Sequence, residues 1–333
     1  MKYQKLPITI SQQIDLLKFR GLKISNEDNA IKYLSTIGYY RLSGYMYHFQ
    51  LADGSHKFKP DVSFDDIIDT YNFDKKLRYL FAAYLEQIEV AMRALLTNSY
   101  ASTYGFFWYT NPTHYTKIPV PAKIKESITK GKIRLPRKYF DTHQYINKAI
   151  DASFAKATEL FITKFKSNYG TERRPPANMA MEILSMGKIS RMFEALKNAP
   201  EKQQIANRFK LPHHLLSSWL IYLTNIRNIC AHHARLWNRK TSADRFTIPS
   251  KSSLKFNGEI QENFNITLYG SFSVLLRLLN VINPENNLEK NFKQLLSEFP
   301  KINITYMGFP PDWEQSPAWL WKDHTKPAEP LKN

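Results

Sequence analysis

The chain has 333 residues, 43% of them hydrophobic and 14% aromatic, which is ample for a packed core and excludes disorder as a global description. Lys and Arg number 47 against 29 Asp and Glu, a net charge of +18, and an excess of that size concentrates polyanions and speeds their capture. Gly is scarce, at 11 residues, and neither GxGxxG nor GxxxxGK[ST] occurs, so the sequence lacks the phosphate-cradling loops of nucleotide-binding α/β enzymes.

The length predicts about two domains. No apolar run approaches the ~20 residues that span a bilayer, and the opening MKYQKLPITI lacks the apolar segment and small-residue cleavage site of a signal peptide. A single cysteine, Cys230, cannot form an internal disulfide, which fits a reducing compartment. The expectation is a cytoplasmic protein that does not engage membranes, with nucleic acid as the favoured polyanion; basic charge without a polyanionic partner is the plainer alternative.

In chain order, SQQIDLLKFRGLKIS reads as a Ser-capped helix stopped by Gly21, and SNEDNAIKYLSTIGYYRLSGY as a second helix capped by Ser25 or Asn26 and stopped by Gly38. Residues 61–101 carry the strongest helical signal. Asp61 and Ser63 can cap. Phe64, Ile67, Ile68 and Tyr71, then Leu77, Leu80, Phe81, Tyr84, Leu85, Ile88, Met92 and Leu95, form one apolar stripe, either unbroken or with a slight break near Asn72. Glu89 and Arg93, four apart, can pair on it.

Residues 102–145 differ: Pro recurs at 112, 119, 121 and 136, and KIKESITKGKIRLPRK holds seven Lys or Arg against one Glu. The expectation is an irregular basic excursion between helices. Helical patterning resumes at 146–168, breaks at RRPPAN, and returns in ANMAMEILSMGKISRMFEAL with an interruption at Ser185 to Gly187. LPHHLLSSWLIYLTNIRNICAHHARL, ENFNITLYGSFSVLLRLLNVI and LEKNFKQLLSEF give further helices, separated by a polar loop at 238–262, and YMGFPPDWEQSPAWLW reads as an irregular arm. Eight or so helices, with only VSF and KFNG as short extended pieces, make the class all-α, a helical bundle with insertions.

Chemistry-bearing residues concentrate in NIRNICAHHARLWNR, residues 225–239. A closed zinc site is disfavoured, because the paired short spacings of zinc ligands are absent and His232 and His233 are adjacent, about 100° apart on a helix. No metal and no cofactor is expected. Cys230 falls on the apolar stripe, and a Cys–His pair two residues apart on one helix does not meet. Phosphodiester chemistry suits the block better. It needs a proton shuttle, which His supplies, and a fixed cation where charge grows on phosphorus oxygens, which Arg supplies. Arg227 and His232 are the pair. Asn228, four before His232, shares its face and can hold the imidazole. Arg227, five before, is roughly 140° around an ideal helix, so the two groups either bend together or meet across a two-fold axis with another copy. On spacing alone, RNxxxH suits a helix C-terminus whose cations complement the dipole better than it suits a catalytic pair.

The block resembles the signature of the bacterial abortive-infection AbiD/AbiF-type family within the HEPN superfamily of RNases: Arg, Asn, then His four to six residues on, here Arg227, Asn228 and His232. Stretches similar to that family recur at YLSTIGYYRLSGYMYHF (33–49), YNFDKKLRYL and IEVAMRAL (71–96), MEILSMGKIS (181–190) and MGFPPDW (307–313); the basic stretch at 117–140 does not match it. The resemblance implies an all-α HEPN-type bundle: an N-terminal helical extension over 1–60, a HEPN-like domain over 61–285 with a basic insertion near 105–145, and a C-terminal helix with a Pro/Trp-rich arm over 286–333. It implies metal-independent RNA cleavage in phage defence or as a toxin, with Arg227 and His232 catalytic and Asn228 assisting. It further implies association with a small noncoding RNA and a homodimer that supplies the second motif. A non-catalytic protein that sequesters such an RNA is the rival reading.

Around this pair, His233 reads as a support, and Glu182 as a partner that orients Arg227 or as an ordinary surface carboxylate. Arg235, Arg239 and Lys240 read as holders of flanking phosphates or as solvated charge. Lys123, Lys125, Lys130, Lys132, Arg134, Arg137 and Lys138 form a run suited to RNA backbone. Tyr39, Tyr40, Arg41 and Tyr45 interleave aromatics with a cation as single-strand binders do, a pattern that a core cluster also produces.

Overall fold

The structure, a computed structural model, describes residues 4, 6–117, 122–132, 134, 141–241, 245–250, 256 and 262–315. Among these are thirteen α-helices and no strand, so the protein is all-α. Three isolated β-bridges occur, one of them joining Lys23 to Ser63 of the VSF stretch.

The helices are α1 (Ile10–Phe19), α2 (Glu27–Thr36), α3 (Tyr39–Met46), α4 (Phe64–Tyr104), α5 (Ala122–Thr129), α6 (Thr142–Lys156), α7 (Leu160–Asn168), α8 (Ala177–Ala180), α9 (Met186–Ala195), α10 (Pro200–Arg208), α11 (His213–Ala231), α12 (Leu268–Ile282) and α13 (Leu288–Glu298). The chain groups into two compact units. The first comprises Met1–Phe81, Ile229–Arg239 and Asn287–Tyr306; the second comprises Ala82–Asn228, Lys240–Asn286 and Met307–Asn333.

Local chemistry sets the helix boundaries of the first unit. Thr9, not a serine, caps α1: its Oγ1 accepts from the Gln12 amide at 3.3 Å while Gln12 Oε1 accepts from the Thr9 amide at 2.8 Å, a reciprocal capping box. Thr9, two residues upstream of Ser11, wins because it places Gln12 at the third helical position. Asn26 caps α2 through the Asn29 amide. Gly21 and Gly38 both lie at φ +89°, where a Cβ is strained, so each ends the helical stretch before it. Ser63 and Asp66 cap α4 reciprocally, with Ser63 N donating to Asp66 Oδ2 at 2.9 Å and Asp66 N to Ser63 Oγ at 3.2 Å. Helix α4 then runs unbroken past Asn72.

The first unit buries Leu17, Leu34, Leu42, Tyr45, Ile67, Phe73, Leu77, Leu288 and Phe292. Among them sits Asp74, with 0% exposure. Its carboxylate accepts from Tyr45 Oη at 2.5 Å, from the amides of Leu236 and Trp237 at 3.1 and 2.6 Å, and from Arg78 Nη1. Burial pushes the Asp74 carboxyl up, and these donors oppose that push; burial likewise holds the Tyr45 hydroxyl protonated as a donor.

The second unit is built on α9, α11 and α12. Twelve consecutive residues of α12, Leu268–Leu279, are buried, as an interior helix requires. Phe193, Leu216, Trp219, Leu223 and Ile226 are buried with them. Three features depart from the sequence reading. The stretch 146–168 is two helices, α6 and α7. An α-helix, α10, covers PEKQQIANR. The excursion between α4 and α6 contains α5, which buries no residue.

Two predictions follow from the first unit. Asp74→Ala removes the acceptor of four buried donors and is expected to cost about 3–5 kcal/mol, read by urea denaturation. His48 packs against Phe49 and Trp237 at ring distances of 3.7 and 4.3 Å, and burial, then Lys59 and Arg235, lower its pKa from 6.5 to about 4. Its folded pKa lies below the unfolded one, so its contribution is complete above about pH 6.5 and is lost as pH falls toward about 4. Thermal midpoints across that window should fall more steeply for wild type than for His48→Phe.

Candidate functional site

Helix α11 carries Arg227 and Asn228 in the second unit. Its apolar face, Leu216, Trp219, Leu220, Leu223, Ile226 and Cys230, repeats every three or four residues and is buried, which leaves Arg227 on the flank with its side chain 37% exposed and Asn228 fully on the surface. Cys230 is buried, as its place in the stripe predicts.

The carboxylate facing Arg227 is Glu89 of α4, with Oε2 3.6 Å from Nε. Glu89 is itself buried, and its Oε1 takes a 2.6 Å contact from Arg93 Nη2, the i,i+4 pair the sequence predicts. Arg93 also donates to the carbonyls of Glu182 and Leu184 at 2.7 and 2.9 Å, tying α4 to the connection between α8 and α9. The Glu182 carboxylate pairs with Arg93 at 3.1 Å, so the expected Glu182–Arg227 pair gives way to Glu89–Arg227.

The first unit begins again at Ile229, and α11 ends there in a built reversal. His233 N donates to the Cys230 carbonyl at 3.1 Å and Ala234 N to the Ile229 carbonyl at 3.0 Å, with His233 at φ +54°. This is a Schellman motif with His232 as the C-cap and His233 in the left-handed position usually taken by Gly. Both imidazoles are exposed. The turn is held from three directions. Arg41 Nη1 donates to the His233 carbonyl at 2.6 Å, Arg235 Nη1 to the Gly44 carbonyl at 2.9 Å, and Asp74 takes the amides of Leu236 and Trp237. Arg41 and Arg235 therefore use one donor each on backbone, whatever else they hold.

Of the remaining residues singled out, Tyr40 stands 94% exposed on α3 while Tyr45 is core. Arg239 and Lys240 are exposed. Lys123 and Lys125 are exposed on α5, Lys130 pairs with Glu126, and Lys132 and Arg134 are exposed. Arg137 and Lys138 lie outside the described residues. Asp74 and Glu89 were not legible as site-shaping residues from charge alone. The available signal was position: Ile67, Asp74, Phe81 and Ile88 recur every seven residues of α4, which puts Asp74 on the buried face.

A protein-family model described as Abi-like protein matches residues 32–238. The chain belongs to the Abi-like protein family. The matched span of this Abi-like protein takes in the second half of α2, then α3 to α11, the Asp74 and Glu89 carboxylates, Arg227, His232 and the basic stretch around α5. Membership suggests a role in abortive infection, a form of phage defence. No curated protein and no solved structure matches it significantly. No helix among the described residues is long and apolar enough to cross a membrane.

Replacing Glu89 by Gln should lower stability by about 1.5–3 kcal/mol, the range for hydrogen bonds to charged groups, whereas Glu182→Gln, half exposed, should change it little; chemical denaturation of both variants checks this. His233→Gly should leave the fold intact and stabilise it by about 1 kcal/mol by relieving the left-handed backbone.

Proposed function

We propose that this Abi-like protein is a HEPN-type, metal-independent endoribonuclease that acts in abortive infection, with Arg227 and His232 as its catalytic pair. The observation that carries the reading is the state of those two side chains. Arg227 is aligned by a buried carboxylate yet open to solvent, and His232 is an exposed C-cap on a turn fixed by three sets of hydrogen bonds. Rigid support behind an exposed acid–base group is what orientation-dependent catalysis needs.

In this mechanism His232 takes the proton from the RNA 2′-hydroxyl, or delivers one to the leaving 5′-oxygen. The 2′-oxygen attacks the adjacent phosphorus and the P–O5′ bond breaks, giving a 2′,3′-cyclic phosphate and a 5′-hydroxyl. Arg227 offsets the charge that grows on the non-bridging oxygens. Asn228 steadies the imidazole. A second copy, related by a two-fold axis, supplies a second Arg227–His232 pair. The net charge of +18, Lys123, Lys125 and Arg134, and the exposed Tyr40 beside Arg41 support RNA as the substrate, through phosphate contacts and base stacking. A small noncoding RNA is the expected bound partner.

His232→Ala should abolish RNA cleavage and cellular toxicity while leaving the thermal midpoint unchanged, and Arg227→Ala should do the same to cleavage. Chelators should leave the rate unaltered. RNA bound at equal occupancy by wild type and His232→Ala, and equally intact in both, would replace cleavage by sequestration.

A further inference from the structure

A second cationic site lies within the second unit, on residues the proposed cleavage does not use. A cleft of about 420 Å³ is lined by Lys202 of α10, His213, His214, Ser217, Ser218 and Ile221 of α11, Glu194 of α9 and Arg245. Lys202 is buried, and its Nζ donates to the carbonyls of Glu194 and Leu196 at 3.0 and 2.7 Å. It thus closes the end of α9 and fixes a positive charge at the back of the cleft. The His213 and His214 rings are 6.0 Å apart and perpendicular. Arg245 comes from the segment after α11, and that segment is anchored: the Thr247 amide and hydroxyl donate to Ser218 Oγ at 2.8 and 3.0 Å, and Trp219 Nε1 donates to the Thr247 carbonyl at 2.9 Å.

The charges do not balance. Two fixed cations and two imidazoles face one carboxylate, Glu194, which Arg191 already meets at 3.3 Å. Burial, then Lys202 and His214, lower the His213 pKa; its neighbours push its proton off. An anion in the cleft reverses that push and gains contacts from each cation. Ile221 is the apolar wall, and the planar guanidinium of Arg245 suits a tetrahedral oxyanion.

We propose that this cleft is a phosphate-binding site, with Arg245, His213 and His214 contacting the phosphate oxygens and Lys202 supplying the charge behind them. The phosphate belongs either to a nucleic-acid strand or to a free nucleotide. In the strand case the cleft anchors RNA at a place other than the cleaved bond.

The test uses the full-length protein and three probes: inorganic phosphate, adenosine monophosphate, and a 2′-O-methyl oligoribonucleotide without terminal phosphates, which resists 2′-hydroxyl chemistry. Adding phosphate should move the His213 ring resonance and raise its apparent pKa. Arg245→Ala and His213→Gln should each weaken binding of the competent probe by about tenfold, the worth of one charge-assisted contact, with unchanged circular dichroism. Tight oligonucleotide binding that inorganic phosphate displaces assigns the strand; binding of the monophosphate alone assigns the nucleotide. His213 unmoved by all three probes in the wild type, or affinities indifferent to both substitutions, overturns the site. In the His232→Ala background inorganic phosphate should still move the His213 resonance as it does in wild type, so this result stands or falls apart from cleavage.

Discussion

A carboxylate with no access to water must find its hydrogen bonds inside the protein, and Asp74 finds them on three separate stretches of chain. Tyr45 comes from α3, Arg78 from the next turn of α4, and the amides of Leu236 and Trp237 from the segment after α11. Without that carboxylate two backbone amides lie buried and unpaired, and the Tyr45 hydroxyl loses its acceptor, keeping only the Arg78 Nη1 donor at 3.3 Å. The segment after His232 therefore has one place to go, and the first unit is assembled around it. Trp237 follows into the aromatic cluster with His48 and Tyr306.

Helix α4 repeats the device fifteen residues on. Glu89 is also buried, and it also meets arginine, but here two of them: Arg93 on its own helix and Arg227 on α11. One helix thus furnishes both carboxylates that shape the motif. Asp74 fixes the chain just beyond His232, and Glu89 faces Arg227. Each carboxylate acts within its own unit and leaves the Arg227 side chain partly exposed and His232 exposed.

The helices were legible where an apolar repeat and a capping residue coincide, as at Asn26, Ser63 and the stripe of α4. Helix α10 was not, because PEKQQIANR offers only Ile205 and Ala206 as buried apolar residues; its signals were Pro at the first helical position and Glu in the first turn. The excursion at 102–145 reads as irregular from its prolines, yet Ala122–Thr129 has none and forms a helix. Arg227 and His232 stand out in the sequence as a motif. Their supports do not, because choosing Glu89 over Glu182 as the partner of Arg227 depends on which helices lie side by side, and that is settled by the core rather than by spacing.

Helix α5 buries no residue fully and its lysines are exposed, with only Ile124, Ser127 and Ile128 half-buried, so packing places little constraint on its charge. Its lysines can be added, removed or reversed in sign without disturbing the interior, whereas Arg78 and Arg93 of α4 are tied to buried carboxylates. The surface charge of this segment is accordingly open to substitution at little cost to the buried carboxylates Asp74 and Glu89.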